Sequence, residues 1–191
     1  MKIALTFDDG PHPKWTPEIL DILEDFDIRA TFFVIGKNLD LYPDIAKRIT
    51  EEGHEIGNHS YSHIYLDRCK NSVLPKELDK VNTMIKERYN RDISVVRPPG
   101  GLYNDNLENY AKSIGMNIVL WSVDTRDWDH TDPKQIIENV LNNTSSGDII
   151  LMHDFITGSS PTPEVLRSVI PTLLKRGFEF VTVSELIKTA E

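Results

Sequence analysis

The chain holds a single cysteine, Cys69, among 191 residues. An internal disulfide is thereby excluded, and cysteine usage says nothing about redox compartment. Cys69 sits in the polar stretch Asp67-Arg68-Cys69-Lys70-Asn71, where nothing marks a nucleophile, and it reads as a structural or surface thiol. Long apolar runs are also missing. None approaches the length of a membrane span, so no membrane insertion is expected. Basic charge is scarce: 21 Lys and Arg face 30 Asp and Glu, for a formal net charge of −9. Without a basic patch, no nucleic acid or anionic membrane is expected as a main partner. A neutral partner such as a sugar polymer stays open. Repeats, low-complexity tracts and linkers are absent as well. Residues 1–191 therefore read as one domain, large enough to fold without staples and expected to be monomeric. No signal peptide is expected ahead of the first strand within these residues. A secreted or cell-surface location is expected if this is a catalytic domain cut from a longer chain, and a cytoplasmic one otherwise.

What the sequence has is alternation. Strands are expected at Lys2–Phe7, Ala30–Ile35, His54–Asn58, Ser94–Val96, Asn117–Val123, Asp148–Met152 and Phe178–Val183. A helical pattern follows each one. The first starts at Thr16 as N-cap with Pro17 at its first position. Others run over Leu41–Glu52, Lys76–Tyr89, Asn106–Ile114 and Pro133–Leu141, then from Thr162, with a kink expected at Pro171, and from Ser184. Regular β-α alternation implies a parallel sheet covered by helices, either open or closed into a barrel. Polar residues help to choose. Asp8 and Asp9, His59 and His63, Arg97, Asp124, and His153 with Asp154 all fall at C-terminal strand ends. An open sheet brings side chains together at one switch point. A barrel gathers every βα loop on one face. The expected fold is α/β, a distorted TIM-like (β/α) barrel with about seven parallel strands.

Each polar residue also has an ordinary reading. Asp8-Asp9-Gly10-Pro11 is a common kind of strand-end turn. His59 and His63 stand at i and i+4, which in a helical turn would let both reach one ion. Two His plus a carboxylate, with positions left for water, is the ligand set of catalytic Zn²⁺ or non-haem Fe²⁺ sites. Two surface histidines in a Ser/Tyr-rich loop would look the same. His153 follows Ile149-Ile150-Leu151-Met152 and also reads as a core-edge histidine; Asp124 also reads as a turn residue. Arg97 precedes Pro98-Pro99-Gly100-Gly101, a rigid and then bare backbone. Glycines there allow close approach to main-chain N–H groups, which are standard oxyanion donors. His12, His54 and His130 carry no such pattern. Trp121 reads as core, and Trp15 as either a sugar platform or a helix-packing residue.

Five motifs in order carry a resemblance. They are Thr6-Phe7-Asp8-Asp9-Gly10-Pro11, His59-Ser60-Tyr61-Ser62-His63, Arg97-Pro98-Pro99-Gly100-Gly101, Asp124-Thr125-Arg126-Asp127-Trp128 and Leu151-Met152-His153-Asp154. With them the chain resembles the polysaccharide deacetylases, carbohydrate esterase family four with its NodB-type homology domain, over nearly its whole length. The family's distorted (β/α) barrel agrees with the reading above. The resemblance implies that Asp9, His59 and His63 hold one divalent metal ion, Zn²⁺ ahead of Co²⁺, Ni²⁺ or Fe²⁺. It implies Asp8 as general base, His153 as general acid, Arg97 as the partner that orients Asp8, and Asp124 as the group that orients His153. Pro99, Gly100, Trp128 and Leu151 would bound the substrate. The family usually has an aromatic residue where Gly100 stands. The N–H donor survives here but the side-chain wall does not, and Tyr103, three residues on, is the candidate to replace it.

The implied activity is hydrolysis of the acetamide of N-acetylglucosamine units in peptidoglycan or chitooligosaccharides, releasing acetate. An O-acetyl xylan esterase would use the same site. A non-catalytic carbohydrate-binding barrel is a third reading, and the presence of every ligand and acid/base position counts against it.

Overall fold

The structure is a computed structural model that describes residues 1–129 and 131–189. The reading of His130 falls outside the described residues. Eight strands are present among the described residues: β1 (Lys2–Asp8), β2 (Thr31–Val34), β3 (Glu55–Asn58), β4 (Val95–Val96), β5 (Asn117–Ile118), β6 (Val123–Asp124), β7 (Ile149–His153) and β8 (Glu179–Phe180). All pairings are parallel, in the order β5-β4-β3-β2-β1-β7-β6, with β8 paired to the start of β1. Helices wrap this curled sheet, which makes the expected distorted barrel. Among the described residues β5 and β6 do not pair with each other, so the barrel is open between them.

The two-residue period of β1 sets up everything above it. Ile3, Leu5 and Phe7 enter the core between sheet and helices, with Leu20, Leu23, Val165 and Ile170. Ala4 points the other way, into a second cluster with Phe33, Val95, Val119, Val181 and Val183 that plugs the barrel. Thr6 and Asp8 stand on that same face, one and two steps higher. Strand β7 runs in register, with Leu151 beside Thr6 and His153 beside Asp8. Apolar side chains thus fill the bottom of the barrel, and acids and imidazoles crown it.

Several expected elements are broken or shortened, one of them next to the polar cluster. The strand expected over Asn117–Val123 is two short strands, β5 and β6. Between them the carbonyls of Val119 and Leu120 accept hydrogen bonds from the Arg97 guanidinium at 3.3 and 3.0 Å, which a continuous ladder would not permit. The helix expected over Leu41–Glu52 is two, Gly36–Leu41 and Pro43–Glu51, divided just before Pro43. The one expected over Lys76–Tyr89 is likewise split, at Leu78. The last strand spans only Glu179–Phe180. Pro171, by contrast, leaves the helix Thr162–Lys175 in one piece. Both Pro171 and Arg167, whose carbonyl loses its helical donor, are exposed, so water can replace the bond. Thr16 is not the N-cap of its helix. It is fully buried, accepts from the His12 N–H at 2.7 Å and donates to Asp154 at 2.6 Å. The Nδ1 of His12 takes the free N–H groups of Lys14 and Trp15 instead. Trp15 is 8% exposed and packs as part of the core, which removes it as a sugar platform.

Candidate active site

The first motif divides two neighbouring carboxylates by a backbone flip. Asp8 is the last residue of β1 and points into the barrel. Asp9 has φ of 78°, in the left-handed region, which rotates its side chain out of the strand alternation. Such a conformation is costly for a residue with a Cβ and persists where the surroundings enforce it. Here the Asp9 carbonyl accepts from the Asn38 side chain at 2.7 Å, and the Gly10 carbonyl from the Ile35 N–H at 2.9 Å. Both carboxylates therefore reach one hollow while facing different partners.

Asp8 is 4% exposed and pairs with Arg97 at 2.7 Å. Arg97 is fully buried. Other donors go to Thr6 at 2.8 Å and to the two carbonyls of the broken strand. Its guanidinium lies 4.1 Å over the Phe33 ring. Four of its five N–H donors are thus satisfied, and Asp8 supplies the counter-charge that a cation so deep in the barrel needs.

Asp9 meets the histidines. Its Oδ1 lies 3.3 Å from His59 Nε2 and 3.0 Å from His63 Nε2. The expected helical turn is not what brings the histidines together. Ser60 and His63 both adopt positive φ, 64° and 58°, in a tight loop. Asn58 Oδ1 holds the Ser60 N–H, Ser60 Oγ holds the His63 N–H, and Glu77 accepts from both the N–H and the hydroxyl of Ser62. The Nδ1 of His59 lies 2.7 Å from the Arg97 carbonyl, so it carries the proton and Nε2 keeps a lone pair for the hollow. Oδ1 of Asp9 is buried yet accepts no well-aligned hydrogen bond among the described residues. Burial opposes ionisation of Asp9, but the two imidazoles outweigh it and hold the carboxyl well below the usual range. Two imidazole nitrogens and an orphaned carboxylate oxygen, all within 4.8 Å of one another, fit a divalent cation.

On the opposite side stands His153. Asp127, not Asp124, orients it. Oδ1 of Asp127 lies 2.8 Å from His153 Nδ1, and Oδ2 accepts the His153 backbone N–H and the Thr162 hydroxyl, each at 2.8 Å. Burial disfavours the imidazolium, but Asp127, with help from Asp8 and Asp9, pushes the His153 pKa up to about 9. Asp124 instead makes a local turn, accepting from the Arg126 N–H at 2.9 Å, and lines the hollow. Arg126 has φ of 57°, and that reversal turns Asp127 inward from a sequence position that looks no different from Asp124.

The hollow has a volume of about 360 Å³ and brings together Asp8, Asp9, His59, His63, Gly100, Asp124, Trp128, Leu151 and His153 of the expected residues. Leu151 is buried and Trp128 is 49% exposed. Pro99 is buried in the short turn Pro99–Gly101 and does not line it. Tyr103 does not replace the missing wall; it borders a separate depression with Glu108, Lys112 and Leu120. Two aromatic residues not anticipated do line the hollow, Tyr65 and Trp121. Trp121 was expected in the core, but the strand break carries it to the rim.

Comparison with known proteins identifies the family. The family model described as polysaccharide deacetylase matches residues 1–119. A peptidoglycan-N-acetylglucosamine deacetylase from Bacillus cereus is 40% identical over 188 residues, covering 97% of this chain and 88% of that protein. Among solved structures, a family 4 acetyl xylan esterase from Clostridium thermocellum in complex with a cobalt ion superposes with a TM-score of 0.92 at 35% identity, over 99% of this chain and 91% of that one. A family pseudoenzyme from Bacillus anthracis gives a TM-score of 0.90 at 31% identity, over 97% and 64%. The chain belongs to the polysaccharide deacetylase family.

Proposed function

We propose that the protein is a metal-dependent N-deacetylase that removes acetate from N-acetylglucosamine units of peptidoglycan or chitin-type oligomers, acting as a monomer. The observation that carries the reading is the meeting of three groups in one hollow: the Asp9–His59–His63 donor set, the Asp8–Arg97 pair and the His153–Asp127 pair. The similarity to a peptidoglycan deacetylase supports the substrate class.

Asp9, His59 and His63 would hold the cation, Zn²⁺ in the first instance. When bound there, a divalent ion supplies Lewis-acid polarisation of water and of the acetyl carbonyl. Asp8 then serves as the base that takes a proton from the attacking water, and Arg97 holds its carboxylate in place at 2.7 Å. The N–H of Gly100, which donates to no group among the described residues, is available to the oxyanion. His153 supplies the proton that lets the amine leave. The step needs it because an amide anion is a very poor leaving group. Asp127 both holds the imidazole by Nδ1 and favours its charged form, so Nε2–H is the donor. Trp128 and Leu151 bound the acetyl group and sugar.

A second reading, an O-acetyl esterase on xylan, is favoured by the similarity to the acetyl xylan esterase. An ester needs less help from an acid than an amide does, so the strongly held proton on His153 supports amide hydrolysis. Mass spectrometry of products from chitooligosaccharides, peptidoglycan fragments and acetylxylan, with and without chelator, tests both. Acetate release from the first two, lost with chelator and lost in Asp8→Asn that still binds metal, is expected. Release from acetylxylan alone would favour the esterase. No turnover with Zn²⁺ or Co²⁺ would place the chain with the pseudoenzyme.

A further inference from the structure

The ledge Gly100-Gly101 is framed by two aromatic rings. Both glycines have positive φ, 68° and 70°. A Cβ on Gly100 would lie 3.0 Å from Cε1 of Tyr65, and one on Gly101 would lie 2.8 Å from the Trp121 ring. Bare backbone at these two positions is what lets both rings close on the ledge. Tyr65 comes from a different segment, the loop just before the short turn Leu66–Arg68 that follows the second histidine. That loop is anchored by the buried Leu66, and Tyr65's carbonyl accepts from the Arg68 N–H at 3.3 Å and the Cys69 thiol at 3.3 Å. The Arg68 guanidinium lies 4.9 Å from the ring centroid, and Arg68 itself does not line the hollow. Tyr65 is 50% exposed and joins none of the core clusters among the described residues. Its exposed part lines the same hollow as the half-exposed Trp128.

We propose that Tyr65 is the aromatic wall that holds the sugar ring on the Gly100 side of the site, setting how tightly the glycan is bound rather than how fast it reacts. An aromatic face presents a flat apolar surface with a polar tip, which suits the C–H face and hydroxyl rim of a pyranose. The inference rests on the deacetylase reading for its substrate class.

The test uses the metal-loaded protein with tetra-N-acetylchitotetraose, and follows acetate release and, by calorimetry, equilibrium binding. Tyr65→Ala is expected to raise KM for the tetraose about tenfold with kcat within about twofold, the size of one aromatic contact. Tyr65→Phe is expected to keep most of the binding. Selectivity for the tetraose over p-nitrophenyl acetate, which carries no sugar, should fall about tenfold in Tyr65→Ala. Gly100→Ala, which crowds the ring, should raise KM less in a Tyr65→Ala background than alone. A Tyr65→Ala enzyme with the wild-type KM, or one that loses as much on p-nitrophenyl acetate as on the tetraose, overturns the proposal. Binding without turnover, weakened in Tyr65→Ala, would uphold Tyr65 and remove the deacetylase reading. No binding of the tetraose by the wild-type protein would overturn Tyr65 as a sugar wall.

Discussion

Asp127 grips His153 at two points, its ring Nδ1 through one carboxylate oxygen and its backbone N–H through the other, each at 2.8 Å. A residue held so has one orientation, with Nε2 toward the hollow. Asp127→Asn is therefore expected to do two things. It lowers turnover by about 10²–10⁴-fold, the usual scale for a lost or misaligned acid. It also moves the basic limb of the kcat/KM profile. The folded His153 pKa is raised to about 9, so the protonated acid persists through neutral pH and is lost above it. Removing the Asp127 charge lowers that pKa and brings the limb to lower pH. Asp124→Asn should leave the limb in place. A limb that shifts in Asp124→Asn and not in Asp127→Asn would reverse the assignment.

The Asp8–Arg97 pair makes a stability prediction. Arg97→Met leaves the buried Asp8 carboxylate without its counter-charge and is expected to cost about 3–5 kcal/mol in urea unfolding. Removing the charge on both sides, in Arg97→Met with Asp8→Asn, should recover part of that loss. Additive losses in this double-mutant cycle would show that the two side chains are not coupled.

How much of this was legible beforehand follows from what each residue's position encodes. Asp8, Leu151 and His153 lie on strands, where a two-residue period dictates which way a side chain points, and their convergence with Arg97 follows from the barrel. Asp127 did not stand out because it lies beyond a strand end, after a positive-φ Arg126, and loop reversals leave no periodic mark. The same holds for Asp9, His63 and Ser60, whose left-handed backbones, not a helical i, i+4 spacing, bring the donor set together. Tyr65 was missed for another reason. Its contact with Gly100 joins loops from two different strands, and only the bareness of Gly100 hinted that a ring from elsewhere would fill the space. The strand break at 119–122 was hidden because Val119, Leu120 and Trp121 read as strand residues, and only the demand of the Arg97 donors explains it.

The donor set predicts a metal response that does not depend on activity. Zn²⁺ added to chelator-treated protein at about 100 times its Kd should stabilise it by about 2.7 kcal/mol, seen as a rise in Tm. Asp9→Ala and His59→Ala should lose most of that rise. His63→Ala, whose side chain is 44% exposed, should weaken it less. An equal rise in wild type and Asp9→Ala would place the metal elsewhere.

Next to His153 in the chain lies a buried carboxyl that does not line the hollow. Asp154 is 1% exposed and receives the Thr16 hydroxyl on Oδ2, while its Oδ1 has no partner among the described residues. Burial, reinforced by Asp9 and Asp8, pushes its pKa up to about 7. A raised carboxyl pKa means that the folded state binds more protons than the unfolded state between roughly pH 4 and pH 7. Stability from this group is thus greatest below pH 4 and declines as pH rises toward 7, by roughly 4 kcal/mol at 1.36 kcal/mol per unit. The difference in unfolding free energy between wild type and Asp154→Asn, measured across that range with chelator present, should carry this slope. The asparagine variant should gain on the wild type as pH rises. Gly10→Ala should be damaging at every pH, because a Cβ there would overlap the Asp154 carboxylate itself. A pH-independent difference between wild type and Asp154→Asn would mean that Asp154 ionises in the folded protein as it does in the unfolded chain.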